Sequence, residues 1–374
     1  MSTDMYSPSL PSLAGYFDTT ASKVQLTISL NMLAFGIAQL IHGPLSDRFG
    51  RRPVLIVSLL FVVIFSVLCA AAQSIGQLIA ARIALGTAAA AEAVIGLAII
   101  KDLYTEKQQV KAFALLGMVI AIAPGIAPII GGYLHVLFGW QSNFIFIAGL
   151  AVVALLAVWR FLPESTKPDP LATVPKTVLN NYRVLLKNRE FVIHSAMLGV
   201  TLGLVMVFVT AAPFVLIDLL GVAVERFGFY QAMIVVSFFI GSWLASYLAE
   251  RLEATAMLAL GAVIIVTGAV MLSLLIVFDF YTANSFTASY AVMTFGMGQV
   301  FAVAPSLAMR SITGGSGSAS AMLSGLEQMT AATAAVAVTL LNDGTARPVA
   351  LVTMVLMTLL LLLLRARKVE RKSK

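Results

Sequence analysis

Long apolar runs alternate with short charged clumps along this chain. Residues 24–46, 53–81, 112–159, 191–217, 227–249, 254–278 and 280–309 contain no Asp, Glu, Lys or Arg. A helix crossing a bilayer needs about 20 predominantly apolar residues, and the run 112–159 is long enough for two crossings. Charge clumps and turn residues as boundaries predict spans near 24–45, 53–72, 75–99, 111–137, 143–163, 191–218, 227–249, 255–279, 281–309, 319–341 and 347–364. Transmembrane strands alternate over about ten residues, whereas stretches such as Leu359–Leu364 are apolar on every side. The pattern therefore predicts an all-α membrane protein.

Composition sharpens this picture. The 374 residues are 60% hydrophobic and 11% charged, against roughly a quarter charged in soluble domains, and the mean hydropathy is +0.97. One cysteine, Cys69, lies in an apolar run, which removes disulfide frameworks and thiol-ligated metals. The net charge of +7 acquires meaning from its location. With alternate connections on one side, 20 basic residues fall on one face, including Arg48, Arg51, Arg52, the linker and the tail, against three, Lys23, Arg226 and Arg347, on the other. The positive-inside rule assigns the first face, and the C-terminus, to the cytoplasm. No nucleic-acid partner is implied; the expected partners are the lipid bilayer, a small-molecule substrate and protons.

A polar connection at 164–190, with Pro168, Pro170 and Pro175, divides the chain into 1–163 and 191–374. A cytoplasmic N-terminus requires six crossings before this linker, so the opening residues must form a first helix. Asp4 to Asp18 is 14 residues, about 21 Å at 1.5 Å per residue, against a core of about 30 Å. That helix is expected to start part-way through the bilayer, or the chain to begin at an internal methionine. Gly43–Arg48 after the second helix has a weak echo in Ser246–Arg251 after the eighth, as suits a transporter of two related bundles.

Three stretches carry chemistry. The first is Gly43-Pro44-Leu45-Ser46-Asp47-Arg48-Phe49-Gly50-Arg51-Arg52-Pro53. Here Gly43 is expected to allow close helix approach, Gly50 a tight turn and Pro53 a first helical turn. Asp47 can receive Arg48 or Arg51 and favour a nearby helix N-terminus. The bland alternative is a basic loop gripping anionic headgroups. The second is Arg82, about eight residues inside its span, too deep for easy snorkelling; an intramembrane charge marks function by default, the alternative being a structural Arg bonded to carbonyls. The third is Ala123-Pro124-Gly125-Ile126-Ala127-Pro128-Ile129-Ile130-Gly131-Gly132, whose prolines and glycines predict a bend and a flat packing face. Glu92 and Glu327 are further carboxylates in or near spans, and Phe295 and Gln299 are candidate pocket residues beside Gly296 and Gly298. Gly314–Ser318 has no following Gly-Lys-Ser/Thr, so ATP hydrolysis is not expected.

The first stretch resembles the G-x-L-x-D-R-x-G-R-R signature of the major facilitator superfamily. Arg82–Ala90 is similar to the R-x-x-Q-G-x-x-x-A motif of its proton-coupled exporters, with Leu85 in place of Gln, and residues 123–132 to the antiporter motif G-x-x-x-G-P-x-x-G-G. Thr3-Asp4-Met5-Tyr6-Ser7-Pro8-Ser9-Leu10-Pro11 resembles the T-D-M-Y-x-P-x-L-P of the Bcr/CflA branch, the bicyclomycin and chloramphenicol exporters.

The resemblance implies twelve transmembrane helices in two six-helix bundles, the first helix shortened at its N-terminal side, in a monomer of the inner membrane. It implies no enzyme and no cofactor, only a proton gradient driving drug efflux. By the same resemblance Asp4 is the proton-binding carboxylate with Arg82 in the coupling group; Gly43, Asp47, Arg48, Gly50, Arg51 and Arg52 form a conformational latch; and Pro124, Gly125, Pro128, Gly131 and Gly132 form the antiporter helix. Position within the spans adds Glu92 as a candidate second proton site, against a carboxylate hydrated from the cytoplasmic end, and Tyr6, Phe295, Gln299 and Glu327 as candidate pocket residues, with helical core packing the favoured role for Phe295 and Gln299. Two rivals are an uptake symporter or facilitator for a sugar or nucleoside, and a non-transporting membrane sensor or assembly factor on the same fold.

Overall fold

The computed structural model describes residues 2–103, 123–165, 168, 173–248, 251–310 and 316–373. The front half of the predicted span 111–137 and part of the linker lie outside the described residues. Among those described, the regular elements are helical. In order they are α1 (Ser2–Tyr6), a 3-10 turn (Ser7–Ser9), α2 (Leu10–Tyr16), α3 (Ala21–Phe49), α4 (Arg51–Ala70) and α5 (Ile75–Leu103), then α6 (Ala123–Phe138), α7 (Gln141–Phe161) and α8 (Pro175–Lys187). There follow α9 (Arg189–Pro213) with a π-helical end (Phe214–Leu219), α10 (Val224–Leu248), α11 (Ala254–Val277), α12 (Ala283–Arg310), α13 (Ser316–Leu340) and α14 (Arg347–Ser373). Nine of these are long and apolar enough to cross a membrane.

Contacts sort the long helices into two groups. α3, α4, α5 and α7 pack on one another, as do α9 with α12, α13 and α14, and α12 with α10 and α11. The second group has a continuous core in which Phe208, Phe286 and Tyr290 meet, with ring centroids 4.8 to 6.1 Å apart. Outer faces remain apolar: Val57, Phe61, Ile64 and Leu68 of α4 are all exposed. Their 4-3-4 spacing makes one helix face, suited to hydrocarbon rather than water.

The groups meet along α3 and α13, and small residues bring the helices together. A Cβ on Gly36 would stand 3.2 Å from the Gln328 side chain and 3.3 Å from the Met329 backbone, and one on Gly325 would stand 2.6 Å from Leu40. Near the end of α3 at Thr20, hereafter the far end, the seam is polar: Ser29 Oγ lies 2.8 Å from Thr339 Oγ1, and Asn342 donates to Gln25 Oε1 at 3.1 Å. At the opposite, basic end, where α3 runs into Arg48, a cavity of ≈ 200 Å³ separates α3 and α5 from α13. A smaller cavity of ≈ 90 Å³ lies at the far end beside Gln25 and Asn342, so among the described residues the far end is the more closed of the two.

Two helix-interior prolines help to define the seam. Pro213 has no N–H for the Val209 carbonyl, and Ser7 Oγ of the 3-10 turn donates to that oxygen at 3.3 Å. Pro44 likewise frees the Leu40 carbonyl, which accepts from the Tyr182 hydroxyl of α8 at 3.4 Å. Burial, then the nearby Asp47 carboxylate, pushes the Tyr182 hydroxyl above its ordinary range, so it stays a neutral donor.

Gly43 does not draw a neighbour close. A Cβ there would meet Val94 at an ordinary 3.7 Å, and Gly43 lines the basic-end cavity instead. The tight approach within the first group is at Gly86, where a Cβ would collide with the backbone oxygen and amide group of Asn31. We expect Gly86→Ala to destabilise the protein by about 1–3 kcal/mol through overpacking. A lower Tm in detergent would show this, whereas an unchanged Tm would mean that α3 and α5 have room to part.

Candidate functional site: a buried arginine, a seam carboxylate and a basic-end latch

Arg82 is fully buried on α5. A cation in such a place needs acceptors for its donors, and the first group supplies two of them. Nε donates to the Thr27 carbonyl at 3.2 Å and Nη2 to Thr3 Oγ1 at 3.2 Å. The Thr3 hydroxyl donates on to Asn31 Oδ1 at 3.4 Å, and Asn31 Nδ2 returns to the Arg82 carbonyl at 2.6 Å. This ring ties α1, α3 and α5 together, and Gly86 gives Asn31 its room. The guanidinium also sits over the rings of Tyr6 and Phe144, 5.2 and 5.8 Å from their centroids, a favourable cation–π placement. Nη1 has no hydrogen-bond partner among the described residues.

The ion pairs found between described residues, Asp47–Arg51 and Asp102–Arg51, do not involve Arg82. Asp4 is half-buried on α1 and lies near enough to act electrostatically on Arg82. Its carboxylate accepts from Gln231 Nε2 of α10 at 3.4 Å, a contact from one helix group to the other. Glu92 is exposed on α5, and Glu327 is half-buried on α13 beside the seam. The structure therefore brings Asp4, Arg82 and Tyr6 together, with Glu92 more than two turns along the helix from Arg82.

Tyr6 and Gln299 do not line an open pocket in this conformation. Tyr6 is fully buried beneath Arg82, 4.9 Å from the Phe144 ring, with its hydroxyl 3.2 Å from Thr27. Gln299 is fully buried inside the second group, where Nε2 donates to the Gly241 carbonyl at 2.8 Å. The surrounding glycines explain this. A Cβ on Gly298 would collide with the Ser242 backbone nitrogen of α10, and one on Gly296 would stand 2.6 Å from the Gly261 carbonyl of α11. Phe295 is half-buried on the same helix, its carbonyl against Gly241.

The antiporter-like stretch lies on α6 and faces α10. A Cβ on Gly125 would meet Val235 at 3.4 Å, and one on Gly132 would meet the Val224 carbonyl at 3.0 Å. From the other side, a Cβ on Gly228 would stand 2.5 Å from the Ile129 nitrogen. Gly131 instead faces the Met5 carbonyl of α1. Pro128 is buried and Pro124 half-buried on the same helix.

The basic-end motif is a network centred on Arg51. It pairs with Asp47 at 2.6 Å and Asp102 at 3.2 Å, and Nη1 donates to Ser46 Oγ at 2.5 Å. Arg48 reaches away, to Thr173 Oγ1 at 2.8 Å, and Arg52 donates to the Trp159 carbonyl at 2.6 Å. Asp47, Arg51 and Asp102 line the basic-end cavity together with Ser324 of α13, which places the network at the junction of the groups. The α4 N-terminus is served by Glu164 rather than Asp47: its oxygens accept from Arg51 N at 2.9 Å and Arg52 N at 3.2 Å. Gly50 is required twice over, by a φ of 96° and because a Cβ would stand 2.6 Å from Glu164 Oε2. Pro53 falls in the first turn of α4, where its missing N–H costs nothing.

Glu164, Asn31 and Gln231 are the site residues that sequence reasoning passed over. Glu164 is 113 residues from Arg51, and nothing local announces that pairing. Gln231 had a readable signal, the 4-3-4 spacing of Val224, Gly228, Gln231 and Val235 on one helix face.

The Major Facilitator Superfamily model matches residues 1–335. The chain belongs to that superfamily. It is accordingly a non-enzymatic, multi-pass membrane transporter. It is 29% identical over 262 residues to a bicyclomycin resistance protein homolog of Haemophilus influenzae, covering 70% of this chain and 66% of that protein. It is 28% identical to a chloramphenicol resistance protein of Pseudomonas aeruginosa, covering 82% and 73%, and 26% identical to multidrug resistance protein D of Escherichia coli, covering 88% and 82%. The solved structure of a D-xylose-proton symporter superposes with a TM-score of 0.76 at 14% identity, covering 96% and 93% of the two chains. At that identity the likeness shows the fold alone.

Removing the Glu164 carboxylate should loosen the start of α4 without disturbing Arg82. Glu164→Ala is expected to speed amide exchange in the first turn of α4 by about tenfold, the size of a lost N-cap. Hydrogen-exchange mass spectrometry on peptides spanning Gly50–Val54 would read it, and wild-type protection there would exclude Glu164 as the cap.

Proposed function

We propose that this transporter exports small amphipathic compounds, of the kind represented by phenicols or bicyclomycin-like drugs, in exchange for protons across a bacterial inner membrane. The observation that carries the reading is the half-buried Asp4 at the seam, beside a fully buried Arg82 that forms no ion pair with a carboxylate among the described residues. A carboxylate at membrane depth beside a fixed cation, at a seam between two helix groups, is placed to exchange a proton as the groups move. The drug-resistance names of the relatives support the substrate class, and the small-residue face of α6 against α10 supports the direction by its resemblance to antiporters.

With the basic end in the cytoplasm, this conformation is more closed toward the outside than toward the inside. Substrate would enter from the basic end. Protonation of Asp4 from the far end would then favour rocking of one group against the other, exposing the site at that end for release. Deprotonation on the cytoplasmic side readies the site again. The membrane potential contributes about 2.3 kcal/mol per charge per 100 mV, enough for one net charge per cycle to sustain a gradient of tens-fold.

Expression in a pump-deleted host should raise resistance to some members of a drug panel, and those drugs should collapse an imposed pH gradient in everted vesicles. Asp4→Asn and Arg82→Ala should each abolish coupled export, a fall of about a hundredfold or more in drug-dependent proton flux, while the protein still inserts. Wild-type flux in both variants would place coupling elsewhere. Proton-driven accumulation of a sugar or nucleoside would replace export by uptake.

A further inference from the structure

Gln231 is the described residue of the second helix group whose side chain reaches Asp4. It sits mid-way along the α10 stripe Val224, Gly228, Gln231 and Val235, whose members on either side abut Gly132, Ile129 and Gly125 of α6. That packing holds the amide in the seam, where Gln231 is 3% exposed. Its Nε2 donates to Asp4 Oδ1 at 3.4 Å, while its Oε1 has no partner among the described residues. An amide N–H makes its strongest hydrogen bond to a carboxylate when that carboxylate is ionised.

The charges around Asp4 divide between the two groups unevenly. Arg82 acts on it from α5, and Tyr6 shares α1 with it and lies beneath the guanidinium. Glu92 is the other ionisable side chain on that part of α5. All of these move with the first group. α7 presents the Phe144 ring, α6 the glycine face, and α10 the neutral Gln231. The Asp4–Arg82 attraction therefore holds the first group together without tying it to the second. Ser7 to Val209 does cross the seam, but neither partner titrates.

We propose that Gln231 is a positioning residue that converts the protonation of Asp4 into opening of the far end. With Asp4 ionised, the amide N–H makes a charge-assisted hydrogen bond that holds α10 against α1. A proton arriving from the far-end water onto a carboxylate oxygen removes the charge, weakens that bond and lets the seam part. This inference rests on the reading of Asp4 as the proton carrier.

The test places spin labels at the exposed far-end positions Lys23 and Arg347, as K23C and R347C in a Cys69→Ser background, and measures their distance distribution in nanodiscs at pH 5.5 and 8.5. In the parent protein the long-distance population should grow on acidification. Gln231→Met, which keeps the shape and loses the amide, should raise that population about tenfold at high pH and flatten the pH response. Ser7→Ala should raise it equally at both pH values, as loss of a seam contact without a titrating partner must. Should Q231M fail to insert, Gln231→Asn keeps the amide, shortens its reach and serves the same comparison. If D4N flattens the response while the Gln231 variant leaves it intact or offsets it in parallel like S7A, the positioning role is overturned and the proton site stands. A full pH response in D4N overturns both.

Discussion

Burial of the Arg82 cation is the constraint on which the first half of the molecule is built. A guanidinium with no water must find acceptors in fixed directions. Those it finds are a helix carbonyl of α3 and a hydroxyl of α1, with two aromatic faces beside the cation. Each requirement propagates outward. Asn31 must approach α5 closely, so Gly86 has no side chain. Tyr6 must lie flat under the cation, so α1 gives way to a 3-10 turn just beyond it. Asp4, between Thr3 and Tyr6 of these contacts, is thereby held at the edge of the group rather than in its core.

The second constraint is that the two groups must adhere without fusing. The seam meets it with small residues that admit backbone contact and with single, separable hydrogen bonds. Proline contributes indirectly: the carbonyls freed by Pro213 and Pro44 are taken up by Ser7 and Tyr182, from other elements. A helix made whole by its own N–H groups would have no such need of a neighbour. Kinks that stabilise one helix through another are suited to an interface with two arrangements, because the same orphan carbonyl can be met by water when the partner leaves.

At the basic end the network around Arg51 plays a complementary part. Asp47, Asp102 and Ser46 converge on one guanidinium beside the cavity that opens toward α13, while Glu164 clamps the turn that carries it. The charge cluster is thus anchored within the first group and presented to the second. Arg48, expected as an alternative partner for Asp47, turns instead to Thr173 at the end of the linker.

The sequence alone determined the helices and their approximate ends, because charge is expelled from apolar spans wherever it has no partner and turn residues mark the breaks; α4, α7, α11 and α12 begin and end within a few residues of the spans 53–72, 143–163, 255–279 and 281–309. It also determined that Arg82 and Gly50 are special, since a deep cation and a glycine between two helices each break a local rule. Only the tertiary structure decided what these residues meet. Glu164 reaches Arg51 and Arg52 across more than a hundred residues of chain, and Gln231 reaches Asp4 from the other half of the molecule. Gln299, polar and flanked by glycines, had the look of a pocket residue and proves to cross-link two helices inside the core. Pairings of that kind depend on how helices rotate about their axes and which faces meet, and a hydrophobic pattern that is apolar on nearly every side carries little of that information.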